Sequence, residues 1–327
     1  MATSPIPQPT AFVGLSLLDG GSFIADTDKL HAHVSNAKFR MYDWAFCISH
    51  GDKRIVWDLG LDEDRSLYTP WVNRFILDFV DPAGPRKSIV KQLSERGVSS
   101  AQIKTIIFRF ETSNPKLDHI AKSSSHAHWD HCRPIRDAFP NATAYFGPGT
   151  KVGCAPGHLA DPMAQWDGRF FDPERATERA EELDGPWVSF GPFPKAMDYF
   201  GDASFWVIQA PGHMPGNLCA AARLESGDWV LLGSDCCHSR GILDGTHEVA
   251  QFCVPHRQGT MSLHADIEAA KDTISKIRVL EKEHGFHVAL AHDAEWLKKG
   301  SDMVLMGLLD AQMQIAAKER IPKEEVA

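Results

Sequence analysis

The chain has 327 residues, with 34 Lys and Arg against 43 Asp and Glu, a formal net charge of −9 at pH 7. That length suits roughly two ordinary domains or one large α/β unit, and 43% apolar content excludes a disordered or fibrous chain and a small disulfide scaffold. The acidic balance argues against a protein that coats nucleic acid or anionic lipid, because such surfaces need clustered Lys and Arg.

The opening MATSPIPQPTAFVGLSLLDGG lacks a basic leader, so its apolar run FVGLSLL (12–18) reads as a first strand rather than a signal peptide. Further strand patterns follow: WAFCISH (44–50), RIVWDLG (54–60), KTIIFRF (104–110), ATAYFG (142–147), SFWVIQA (204–210), DWVLLGS (228–234) and FHVALAH (286–292). They are short and rich in Val, Ile, Phe and Trp, as buried strands are. Between them lie helical patterns from Ser88 to about Glu95, from about Ser262 to His284 with Gly285 placed to stop it, and from about Ser301 onward. The stretch 155–203 is dense in Gly, Pro, Asp and aromatic residues and reads as a long irregular loop.

No polar linker divides the chain, so residues 1–327 are expected to form a single domain. No run approaches the ~20 apolar residues of a membrane span, and the terminal KEEVA carries no retention or peroxisomal address. Seven cysteines at scattered positions, with no CxxC pair, suit reduced thiols in a cytoplasmic protein.

The chemistry concentrates in residues 126–131, HAHWDH. Three histidines and a carboxylate in six residues are dense borderline ligands, suited to zinc, iron or manganese rather than copper(I). In an extended segment residues i and i+2 point the same way, so His126 and His128 can converge on one ion. Past a bend, Asp130 and His131 can reach a second. The other ligands an ion needs stand at strand ends: His213 in APGHMPGN after SFWVIQA, Asp235 after DWVLLGS, and His292 after FHVALA. Loops at the carboxyl edge of a sheet are where α/β proteins build sites.

HAHWDH, then PGH, then a strand-end Asp, then a late strand-end His is a pattern that resembles the metallo-β-lactamase superfamily. The likeness runs roughly from Phe12 to Trp296 and implies an α/β fold, the four-layer αββα metallo-β-lactamase sandwich, with a dinuclear site along one edge. Carried over residue by residue, it implies a first metal on His126, His128 and His213 and a second on Asp130, His131 and His292. Asp235 would bridge them, and Asp58 in VWDLG would support the site from behind the ligands. The cofactors would be two divalent ions, zinc on ligand grounds, with manganese and iron fitting nearly as well.

Within the superfamily the chain is similar to the quorum-quenching lactonase branch and its fungal relatives. SDCCHSR (234–240) and APGHMPGN are like the corresponding strings of fungal members that open small cyclic esters or amides. One such group hydrolyses the γ-lactam-like ring of benzoxazolinones, plant defence compounds, and this is the function the resemblance favours. An acyl homoserine lactonase is the first alternative. A glyoxalase-type thioesterase, a nucleic-acid hydrolase and a metal-binding protein without activity are the others. The partner is then a small cyclic amide or ester, not nucleic acid or membrane, and a homodimer is the common default.

Two departures stand out. The bacterial lactonases carry Tyr three residues after the bridging Asp; here that position is His238. An imidazole can polarise a carbonyl or protonate a nitrogen leaving group, which leans toward lactams. The second departure is RFETSNPKLDHIAKSS (109–124), which separates TIIF from the histidine motif. Two ions ~3.5–4 Å apart can share a bridging hydroxide, which would attack the ring carbonyl with Asp130 orienting it. Trp129, Trp166, Phe170 and Phe171 are the candidate walls for a flat ring.

Overall fold

A computed structural model describes residues 4–108, 129–214, 216–253, 259–319 and 321. The first half of the chain builds one six-stranded sheet and the second half another. In the first, β1 (Gly14–Asp26), β2 (Lys38–His50) and β3 (Lys53–Trp57) form an antiparallel meander. β4 (Thr105–Ile107), β5 (Thr143–Phe146) and β6 (Ala180–Glu182) continue it in parallel. The second sheet runs through β7 (Val188–Phe190), β8 (Phe193–Asp198), β9 (Phe205–Gln209), β10 (Leu218–Arg223) and β11 (Trp229–Ser234), all antiparallel. β12 (His287–Leu290) closes it in parallel with β11.

Side-chain alternation along the strands sorts the apolar residues into layers. Trp44, Phe46 and Ile48 of β2 face Phe205 and Val207 of β9, and Val230 and Leu232 of β11, in a core between the sheets. Ala45 and Cys47 point the other way, into a core shared with α1 (Ile89–Glu95). On the far side of the second sheet, Trp206 and Ile208 meet Ile274, Ile277 and Leu280 of α2 (Ile267–His284). The layers are thus helix, sheet, sheet, helix.

All eight strand patterns of the sequence are present, with shifted ends; the tail of KTIIFRF and the 109–124 insertion lie outside the described residues. α2 starts at Ile267 rather than Ser262, because the Asp266 carboxylate accepts the Ala269 N–H and caps it there. Gly285 ends it at φ 70°. The helix expected from Ser301 is two pieces, Met303–Met306 and α3 (Ala311–Glu319).

The stretch 155–203 is not one irregular loop. It holds β6, β7 and β8, which are short and lie at or next to the outer edges of the two sheets. β10, LCAAAR, was not among the strand patterns. Its alanines pack at 0% exposure between β9 and β11, where small side chains suit a buried central strand. Among the described residues no helix is long and apolar enough to cross a membrane.

Candidate metal centre

The candidate ligands stand just past strand ends, tied together by main-chain bonds. Asp58 follows β3 directly, with φ 63°, and its N–H donates to the Ile107 carbonyl at the end of β4 (3.1 Å). The next N–H, of Leu59, donates to the His131 carbonyl at 3.1 Å. Ser234, the last residue of β11, has φ 53° and accepts the Ala291 N–H at 3.3 Å. The Ala291 carbonyl in turn accepts the Trp44 N–H of β2 at 3.1 Å. The two sheets therefore meet beside His292. Non-glycine residues in the left-handed region cost of order 1–3 kcal/mol and concentrate at functional sites; here two of them flank the cluster.

Asp235 lies at the middle. Its Oδ2 is 3.0 Å from His131 Nε2 and 3.5 Å from His213 Nε2, and its Oδ1 is 3.0 Å from His292 Nε2. Asp130 Oδ2 is 3.3 Å from His131 Nε2 and 3.7 Å from His292 Nε2. All five side chains are buried. Ligands of one ion with bonds of ~2.1 Å sit ~3–4 Å apart, so this spacing fits a divalent cation held among them. Burying several carboxylates is tolerated only with compensating positive charge, and the donor set of imidazole and carboxylate is that of a borderline metal.

Carboxylates stand behind the rings of His292 and His131, and one of them holds His292 directly. His292 Nδ1 is 3.0 Å from the Tyr42 carbonyl and 3.0 Å from Asp43 Oδ1. His131 Nδ1 is 3.9 Å from Asp58 Oδ2 and 4.0 Å from Asp43 Oδ1. Asp43 and Asp58 are fully buried. Both rings turn Nε2 inward; the Asp43 carboxylate on Nδ1 orients His292 in this way, while the two carboxylates near His131 Nδ1 stand beyond hydrogen-bond reach. Burial opposes the charging of His292, but Asp235 and Asp43 outweigh it and hold the imidazole well above its ordinary range.

On the other side of Asp235, His213, His238 and His264 bring ring nitrogens within 4.8 Å of one another. The His213 ring is 4.7 Å from that of His238 and 5.2 Å from that of His264, and His238 and His264 are 4.9 Å apart. His238 also stacks on His292 at 5.8 Å, with 2° between the ring planes. Burial pushes His264 down to about 4, against the pull of Asp235. His126 and His128 lie outside the described residues.

No family model matches the chain. Among curated proteins it is 28% identical over 283 residues to the metallo-hydrolase mfmC of Annulohypoxylon moriforme, covering 76% of this chain and 69% of that protein. It is 33% identical over 128 residues to the gamma-lactamase FDB1 of Fusarium pseudograminearum, covering 36% of this chain and 28% of that protein. A match at 28% identity to the cytochrome P450 monooxygenase mpaDE of Penicillium roqueforti covers 88% of this chain but 34% of that protein; the chain thus spans about a third of that relative. Among solved structures, an N-acyl homoserine lactone hydrolase with N-hexanoyl-L-homoserine at its catalytic metal centre superposes with a TM-score of 0.61 at 17% identity, over 87% of this chain and 95% of that one. The dizinc quorum-quenching lactonase AidC gives 0.52 at 15% identity, over 90% and 91%. AbOPH, a hydrolase of the β-lactamase superfamily, gives 0.51 at 18% identity, over 90% and 91%.

The chain has the metallo-β-lactamase fold. In this metallo-β-lactamase sandwich the expected residues Asp130, His131, His213, Asp235 and His292 come together, Asp58 stands behind His131, and His238 lies between the two histidine groups. Asp43 and His264 were not among the expected residues. An acid inside the apolar run MYDWAF was a usable signal for Asp43. His264 follows no strand, and nothing in its neighbourhood of the sequence singles it out.

The aromatic candidates divide. Trp129, Trp166 and Phe171 line a cavity of about 30 Å³ with Tyr68 and Val72, room for about one water rather than a ring. Phe170 instead packs between Phe108 and Phe146, with ring centroids 6.1 and 5.6 Å away. Beside Asp235, burial pushes the Cys237 thiol up to about 12 and Cys236 well above its ordinary value, so neither resembles an activated nucleophile.

Proposed function

We propose that this chain opens a small cyclic amide or ester by metal-dependent hydrolysis, best a γ-lactam-type ring of the benzoxazolinone kind. That it is a metal-dependent hydrolase of the lactamase and lactonase type stands on its fold and on the metallo-hydrolase and gamma-lactamase relatives. The observation that carries the reading is the Asp235 carboxylate, with one oxygen toward His292 and the other toward both His131 and His213.

In this reading His126, His128 and His213 would hold one divalent ion and Asp130, His131 and His292 a second, and Asp235 would serve both. Zinc fits the donor set, as do manganese and iron. Such ions, when bound, polarise a carbonyl and supply a nucleophile from water at neutral pH. The chain's own residues do the rest. Asp130 accepts a proton from the attacking water and orients it. Asp43 fixes the ring of His292, and Asp58 supports His131 from behind at longer range. His238 hands a proton to the leaving atom as the ring opens, a task that matters more for nitrogen than for oxygen because an amide anion is the poorer leaving group. Its ring lies beside those of His213 and His292, which puts it within the site.

The lactonase reading is favoured by the fold neighbours, the lactamase reading by the sequence relatives and by His238. Initial rates decide. Metal-replete protein, with a chelated control, is offered a benzoxazolinone, an acyl homoserine lactone, a simple γ-lactone and a glutathione thioester. Chelator-sensitive opening of the benzoxazolinone well above the others supports the proposal. Fast lactone opening without benzoxazolinone turnover overturns it in favour of a lactonase.

A further inference from the structure

His264 is 3% exposed, and among the described residues neither of its ring nitrogens has a hydrogen-bond partner. A buried imidazole without partners costs stability unless something outside the protein binds it. The ring is also deliberately held. The Ala265 N–H donates to the His213 carbonyl at 2.7 Å, and the Asp266 N–H donates to the Gly212 carbonyl at 3.0 Å. These bonds clamp the segment before α2 onto the turn that carries His213. The same Asp266 caps α2 through its side chain, so an 18-residue helix anchors the arrangement.

His264 and His213 stand with ring centroids 5.2 Å apart and planes at 83°, and the nitrogens of His213, His238 and His264 lie within 4.8 Å of one another. Two nitrogens on one ion at ~2.1 Å each lie at most ~4.2 Å apart, close to that spread. His238 is given to the leaving atom in the reading above, which leaves His264 as the unassigned donor.

We propose that His264 is a ligand of the divalent ion that His213 serves, a donor that the resemblance does not assign there. This rests on the dinuclear reading of the site. An added imidazole raises the coordination number on that side and leaves fewer positions for water. The two ions are then unequal: the His213 ion is the tighter and less open, and the ion on Asp130, His131 and His292 keeps the exchangeable positions. An imidazole-rich set also selects zinc, iron, cobalt or nickel over manganese on that side.

The test is cobalt(II) and zinc binding to the 327-residue chain, followed by competition with a chelator and by the visible spectrum of the cobalt form. Wild-type protein is expected to hold one ion tightly and one more weakly. His264→Ala is expected to weaken the tight ion by at least ~10-fold and to change the cobalt spectrum toward a lower coordination number. His264→Asp, which supplies another metal donor, is expected to restore most of the affinity. Unchanged affinity and spectrum in a folded His264→Ala protein overturn the proposal, and a rise in KM alone would make His264 a substrate contact instead. If the variants fail to fold, a crystal structure of wild-type protein with zinc located by anomalous scattering answers directly: a zinc–nitrogen distance near ~2.1 Å supports the proposal, and a His264 ring bonded only to water or protein overturns it. Wild-type protein that binds metal yet turns over none of the four substrates would sink the functional reading while leaving this one standing.

Discussion

Asp43 Oδ1 lies 3.0 Å from His292 Nδ1, deep in the sheet and fully buried. The carboxylate comes from β2 of the first sheet, and the histidine follows β12 of the second. One contact thus fixes a candidate ligand and joins the two halves of the sandwich at the site. Asp43→Asn keeps the shape but removes the charge that raises the basicity of the ring. The expected result is a ~10–100-fold loss of metal affinity and a comparable loss of activity, with the circular dichroism spectrum retained. Affinity equal to wild type in a chelator competition would show that Asp43 serves packing alone.

Asp235 faces His131, His213 and His292 together. Asp235→Asn should therefore lower the metal content on both sides rather than one, and activity by more than the ~100-fold expected from a supporting residue. His213→Ala, by contrast, should release one ion first. Metal stoichiometry of the purified variants separates the two patterns; a folded Asp235→Asn protein with full metal content and turnover would refute a shared carboxylate. Stripping the metal from wild-type protein should also lower its Tm. At free metal of ~100 times Kd, binding contributes about 2.7 kcal/mol to the folded state.

Much of this site is legible in one dimension. HAHWDH and the rule that polar residues after apolar strands gather at a sheet's carboxyl edge lead to Asp130, His131, His213, Asp235 and His292. Asp43 escapes that rule because it sits inside β2, where alternation makes a lone acid look half-exposed. His264 escapes it because tertiary bonds to Gly212 and His213 recruit it, not a strand. The same limit applies to the fold. Strands of three residues such as β6 and β7 exist through pairing with a neighbouring strand, and their Gly- and Pro-rich surroundings read as loop. The alanines of β10 favour helix by propensity and are overruled by strands on both sides.

Gly212 ties the helix to the site. Its φ is +132°, and a Cβ there would collide with the backbone of Ala269 and Ala270 at the start of α2. Gly212→Ala must push α2 away from the turn that carries His213, at a cost of about 2–3 kcal/mol. Gly97 offers the control: its φ is +74°, and nothing lies within 4 Å of the added carbon. Gly97→Ala should cost only about 1–2 kcal/mol, the conformational part. Urea denaturation of both variants checks the difference. Gly212→Ala alone should also weaken metal binding, and equal losses in the two variants would mean that the turn is not held against α2.

The cysteines give a test that needs no substrate. Cys253 is exposed, while Cys47, Cys154, Cys219, Cys236 and Cys237 are buried and Cys132 is half-buried. Burial holds the Cys132 thiol well above its ordinary value, and Cys47 is pushed up to about 11. Thiolate, not thiol, is the reactive form. At pH 7 to 8 a disulfide reagent should therefore titrate one fast thiol per native chain, and the other six only on unfolding. Cys253→Ser should remove the fast phase without touching hydrolysis. A second fast thiol that maps to Cys236 or Cys237 would mean that the region beside Asp235 opens in solution, and loss of hydrolysis in folded Cys236→Ala or Cys237→Ala protein would then make that cysteine the nucleophile.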